Sequence, residues 1–200
     1  MELKERLINF EKEYIRGVGV ETISSRFQEL AKAILYGGYI DVYGEFYIYA
    51  KTVEFYFHEE GDDAVIKDPI VYHRNGNYGK FMPNPPFFPM MSLHAHMSGF
   101  DITFESVDGN YRASALIRKY SIYKPDGTAI VENATQSTYL YYYLNGFSLN
   151  GEKMIKWQDV EYDPKSSLKP ATHRKNVYKG DKWQGVRELY DYKWSFSACD

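Results

Sequence analysis

Cysteine occurs once in 200 residues, as Cys199, so the chain cannot build an internal disulfide framework and suits a reducing compartment. No run of about 18 uninterrupted apolar residues is present, which argues against a membrane-spanning helix. The amino terminus, MELKERLINFEKEY, is charged and amphipathic and lacks the basic start and apolar stretch of a secretory leader. Repeats and linkers are missing too, leaving one domain over residues 1–200, large enough to bury a core without staples. The expectation is a soluble, cytoplasmic protein with no membrane partner and no cofactor, its oligomeric state left open.

Aromatic residues are abundant instead, at 18%, with 20 tyrosines. They suit sheet faces and a pocket that stacks flat ligands. The formal charge is only −3, but it is unevenly spread. Lys165, Lys169, Arg174, Lys175, Lys179, Lys182 and Arg187 stand against Asp181 alone between Pro164 and Arg187, a window of +6 that leaves −9 for the remainder. Such asymmetry fits either a polyanion-facing surface or a solvated basic loop.

Residues 2–15 and 21–36 show helical spacing, the second with Ile23, Phe27, Leu30 and Ile34 on one face. From Gly38 the pattern changes to aromatic and β-branched alternation, and IDVYGEFYIYAKTVEFYF supplies two or three strand segments. A loop rich in Asn, Gly and Pro occupies 74–90. The stretches LHAHM, DITFESV, YRASALIRKYSIY and GTAIVEN read as strands, with Asp108-Gly109 and Asp126-Gly127 marking turns. Residues 134–145 read as a helix stopped by Gly146, and short strands return in the tail, ending in ELYDYKWSFS. The sum is an α+β fold: a strongly curved, mostly antiparallel sheet or open barrel flanked by a few helices.

In TVEFYFHEE, residues 52–60, alternation puts Val53, Phe55 and Phe57 on one face and Glu54, Tyr56 and His58 on the other. An acid, a phenol and an imidazole in a row admit two readings: a solvated sheet face, or the floor of a site. Arg118 lies inside the apolar strand ALIRKYS, where an unpaired guanidinium is costly, so it calls for an acid partner, and Glu54 is a candidate.

Two chemistries fit. In one, His94 and His96, alternate residues of a strand, bind a metal as in small cupin-type barrels, with Asp101 completing the shell. Asp101 is five residues past His96, however, and faces the other side unless a bulge at Gly99 restores it. In the other, Glu54 is a general base on a water held by Arg118, and Tyr56, His73 and His96 form an aromatic slot for a flat heterocycle. Hydrolysis of an N-glycosidic bond needs this kind of site, because positive charge builds on the sugar as the stacked base departs. Each residue also has a plain structural role open to it: sheet aromatics for Tyr56 and His96, a loop histidine for His73, an ion pair for Arg118.

The order of motifs resembles the alkyladenine (3-methyladenine) DNA glycosylase family. It runs through ELAKAIL at 29–35, TVEFY at 52–56, DPIVYH at 68–73, MSLHAHMSG at 91–99, ALIRKY at 115–120, YLYYYLNGF at 139–147 and the ending at 174–197. No single motif is specific; their order and spacing carry the likeness. The resemblance implies a base excision repair hydrolase acting on a modified purine in damaged DNA, or on a free or single-stranded nucleoside; the alternative on the same fold is a catalytically inactive protein that binds a free modified purine or another small heterocycle. It puts the water-activating glutamate on Glu54, the stacking tyrosine on Tyr56, the pocket histidine on His73, the opposite wall on His96 and the water-orienting arginine on Arg118. Where the family inserts a tyrosine into the duplex this chain has Ser98, which cannot fill the gap left by a flipped base, and Phe87 and Phe88 are the candidates to wedge instead.

Overall fold

A computed structural model describes residues 1–76, 84–96, 99–135, 155–175 and 192–199, with the side chains of Ala95 and His96 excepted. Two helices open the chain, α1 (Leu3–Lys12) and α2 (Val20–Tyr36). The strands follow: β1 (Gly38–Val42), β2 (Phe46–Glu59), β3 (Leu93–His96), β4 (Gly99–Thr103), β5 (Tyr111–Tyr123), β6 (Ala129–Ala134), β7 (Ile155–Asp159) and β8 (Ser195–Ser197). All described pairings are antiparallel, in the order β3-β4-β5-β2-β1-β7, with β6 on β5 and β8 on β2. The sheet curves into a half-barrel, and the α+β class read from the sequence holds.

The first helix is shorter than its periodicity suggests. After Lys12 the chain turns, and the Tyr14 hydroxyl donates to Glu59, which is wholly buried on the core side of β2. Glu59 also accepts from the backbone of Val65 and Ile66, at 2.5 and 2.9 Å, and of Gly17 at 3.3 Å. One carboxylate thus ties the α1–α2 turn to the loop after β2. Neither Glu2 nor Gly19 caps its helix through a side chain; the Leu3 amide donates instead to Asp159 of β7, 2.8 Å away.

Alternation on β2 gives the sheet two unlike faces. Val53, Phe55 and Phe57, with Ala113, Ala115 and Ile117 of β5 and Phe100 and Ile102 of β4, are buried on the side of the helices. Phe27 of α2 lies at the centre, stacked on Phe55 at 4.5 Å and edge-on to Trp194 at 5.1 Å, while Phe10 of α1 meets Phe104 at 5.4 Å. A Cβ on Gly38 would collide with the Gln158 carbonyl and the Trp157 ring, so close passage of β7 over β1 requires glycine there. The opposite face carries Glu54, Tyr56 and His58, and beside them Arg112, Ser114, Leu116 and Arg118 of β5. Most of this polar face is also buried, because Val71, His73, Pro85 and Pro86 lie against it.

GTAIVEN forms β6, which runs on to Ala134, so the helix expected at 134–145 does not begin at Ala134; its remaining residues from 136 onward lie outside the described residues. No helix among the described residues is long and apolar enough to cross a membrane.

Candidate functional site

The centre of the polar face is Glu54, which is 0% exposed. Its Oε2 accepts from Arg118 Nε at 2.6 Å and from the Tyr56 hydroxyl at 3.0 Å, and its Oε1 accepts from the Lys175 backbone N–H at 2.7 Å. Arg118 also donates through Nη2 to the Tyr56 hydroxyl at 3.2 Å and to the Lys175 carbonyl at 3.3 Å. The two strands make this possible in a specific way. Glu54 pairs with Leu116, so Arg118, two residues on, shares its face, and the β2–β5 register is irregular between Ala50 and Val53, alongside the pair. On the other edge of β2, Glu54 pairs with Ser195 of β8.

Burial opposes the Arg118 charge, but Tyr56 and the Glu54 carboxylate hold it, and its pKa ends above the usual value. Burial raises the Tyr56 phenol, and the Glu54 charge raises it further, so Tyr56 remains a neutral donor. Tyr56 is 8% exposed and packs with Val71 and Leu116, while the Arg174 guanidinium lies 4.8 Å from its ring centroid. Its ring is thus largely covered by Val71, Leu116 and Arg174.

A second cluster stands further along the same face. Arg112, buried, uses all five of its N–H donors: on Glu60 at 3.0 Å, Glu105 at 3.0 Å, Asn75 at 3.2 Å, and the carbonyls of Pro85 and Pro86 at 2.6 and 2.8 Å. Phe87 lies flat against this guanidinium, at 3.6 Å to its centroid. His73 belongs here, its Nδ1 against Glu105 Oε1 and its ring 5.3 Å from Phe88, whose other neighbour is His94 at 4.2 Å. Phe87 and Phe88 are therefore engaged with Arg112, His73 and His94, both phenylalanines being partly buried. His58 faces Glu60 at 3.8 Å; burial lowers its pKa, with Arg74 adding to the fall and Glu60 opposing it.

Glu54, Tyr56 and Arg118, read from the sequence as site residues, are thus in direct mutual contact. His73 falls in the neighbouring Glu105–Arg112 cluster. The backbone of His96 pairs with Gly99 at the end of β3, and its side chain lies outside the description. His94 bonds through Nδ1 to the Tyr72 hydroxyl at 2.6 Å and pairs with Asp101, because β3 and β4 are two antiparallel strands and the alternation of one continuous strand does not apply. Among the described residues no group of three or more His, Cys, Asp or Glu side chains is placed to hold a metal.

Sequence reading missed Glu60, Glu105 and Arg112, and it placed Arg174 in a basic surface stretch. Arg174 is only 5% exposed and paired to Asp68, so it is not among the cations facing outward. Comparison with protein-family models, curated proteins and solved structures finds no match to this chain.

Proposed function

We propose that the protein is an N-glycosidic hydrolase of the 3-methyladenine DNA glycosylase kind, releasing a modified purine with a water activated by Glu54. The observation that carries this reading is the Glu54–Arg118–Tyr56 cluster. An ionised carboxylate offers about four acceptor positions. Among the described residues Arg118, Tyr56 and the Lys175 amide fill three, which leaves one on Oε1 for a water.

In the reaction the C1′–N bond breaks and its electron pair leaves with the base, while the water oxygen bonds to C1′ and its proton passes to Glu54. A purine alkylated on a ring nitrogen departs neutral; an uncharged one takes up a proton as it leaves. The Glu54 carboxylate also faces the positive charge that builds on the sugar, and Arg118 fixes its orientation. Tyr56, His73 and His96 belong to the base slot in this reading, with His73 oriented by Glu105. The partner is damaged DNA or a free modified purine, in the reducing cytoplasm that a single cysteine suits.

The covering of Glu54 and Tyr56 by Val71 and Lys175 favours one second reading, a heterocycle-binding protein that retains the slot without turnover. Oligonucleotides and nucleosides carrying hypoxanthine, ethenoadenine or methylated purines separate the two. Free base formed by the wild type and not by Glu54→Gln supports the hydrolase. Thermal stabilisation by a purine with no product after long incubation supports the binding protein.

A further inference from the structure

The main chain of residue 175 sits where Glu54 and Arg118 meet, and its placement has an identifiable cause. Thr172 is fastened to β8 by two backbone hydrogen bonds with Ser195, at 2.9 and 3.0 Å. Beyond it the Arg174 guanidinium turns inward. Its Nη1 donates to Asp68 Oδ2 at 2.5 Å and to the Phe55 carbonyl at 3.3 Å, and its plane lies between the rings of Tyr56, at 4.8 Å, and Trp194, at 5.1 Å. Asp68 is aimed from the far side, its Oδ1 accepting from the Ile70 amide at 3.2 Å. Both charged side chains are essentially excluded from water. One residue later the Lys175 N–H reaches Glu54 and the Lys175 carbonyl reaches Arg118.

From this arrangement we infer that Arg174, through its ion pair with Asp68, is a positioning residue for Glu54, holding the Lys175 peptide across the Glu54–Arg118 pair. The inference rests on the hydrolase reading for its consequence in catalysis, although the positioning is itself a property of the free protein. A buried ion pair is a poor source of net stability against an apolar replacement, but it is directional and fixes geometry. Here it joins the loop after β2 to the segment that Thr172 fastens to β8, over one carboxylate. Misplacing such a group by about an ångström is enough to slow a reaction by about a hundredfold.

Amide hydrogen exchange on the full-length protein, wild type and Asp68→Asn, tests this. Selective loss of protection at the Lys175 amide, by about tenfold or more, with the Phe55 and Thr172 amides unchanged, is the expected result, since a local opening exposes only the amides it frees. Uniform loss at all three amides, or no loss at Lys175, overturns the proposal, because a pair that merely stabilises the fold changes every amide that reports global opening. Should Asp68→Asn fail to fold, Arg174→Lys serves as the milder variant, keeping the charge while losing the planar fork that spans Asp68 and the Phe55 carbonyl. Base release then divides the two claims. Selective exchange at Lys175 without base release from the wild type upholds positioning and refutes the hydrolase. Base release that is unaltered in the variant, with Lys175 still protected, refutes positioning alone.

Discussion

Arg118 Nε stands 2.6 Å from Oε2 of Glu54, a residue 64 positions earlier in the chain and entirely shielded from solvent. Two strands bring them together, and the contact gives each a partner it needs. The carboxylate without the guanidinium is a buried charge held, among the described residues, by a phenol and one amide. The guanidinium without the carboxylate is a largely buried cation, next in sequence to Lys119, that has lost the acceptor at 2.6 Å.

That dependence is measurable as a coupling energy. Arg118→Met is expected to lower unfolding free energy by about 3–5 kcal/mol, and the double variant Arg118→Met, Glu54→Gln to recover much of that loss. Urea unfolding of the two single variants and the double variant closes the cycle. Additive single effects would show that the contact carries no energy of its own.

Arg112 predicts a comparable structural dependence with no role in chemistry. Replacing it with methionine leaves Glu60 and Glu105 buried without their cation and strips the carbonyls of Pro85 and Pro86 of their donors. A loss of about 3–5 kcal/mol is expected, with the loop around Phe87 and Phe88 becoming susceptible to protease before the rest of the fold. Unfolding at wild-type denaturant concentration would contradict the hub assigned to it.

His58 sets a pH dependence. Burial, with Arg74, pulls its folded pKa below the ordinary 6.5, against the pull of Glu60 and Asp68. As pH falls through 6.5 the unfolded chain takes up a proton that the folded protein refuses, so stability falls until the folded pKa is reached. His58→Asn is expected to flatten this part of the profile, which urea unfolding from about pH 7.5 down to about pH 5 records. Identical slopes in the two proteins would show that another group is responsible.

The sheet was legible in the sequence because alternation is a local signal: β2 and β5 read directly from their aromatic and β-branched residues. The Glu54–Arg118 pair was legible for a related reason, since each charge lies beside apolar strand residues, Val53 and Phe55 for the one and Leu116 and Ile117 for the other, and demands a partner. Arg112 was not. It follows the Asp108-Gly109 turn and looks like a solvated strand end, and only the folding back of Asn75, Pro85 and Pro86 over the sheet reveals a buried hub. Arg174 was hidden by its company, six other cations in one window, where burial of a single member leaves no mark in composition. The shortening of α1 reflects Tyr14 and Glu59, a pair 45 residues apart that periodicity cannot sense.

The central claim is that Glu54 activates water for cleavage of an N-glycosidic bond. Its most direct test is the single-turnover rate of purine release from oligonucleotides carrying hypoxanthine or alkylated purines, wild type against Glu54→Gln, with both proteins shown to be folded. The account predicts release by the wild type and a fall of about a hundredfold or more in the variant, the usual contribution of a positioned general base. Equal rates in the two proteins would contradict it.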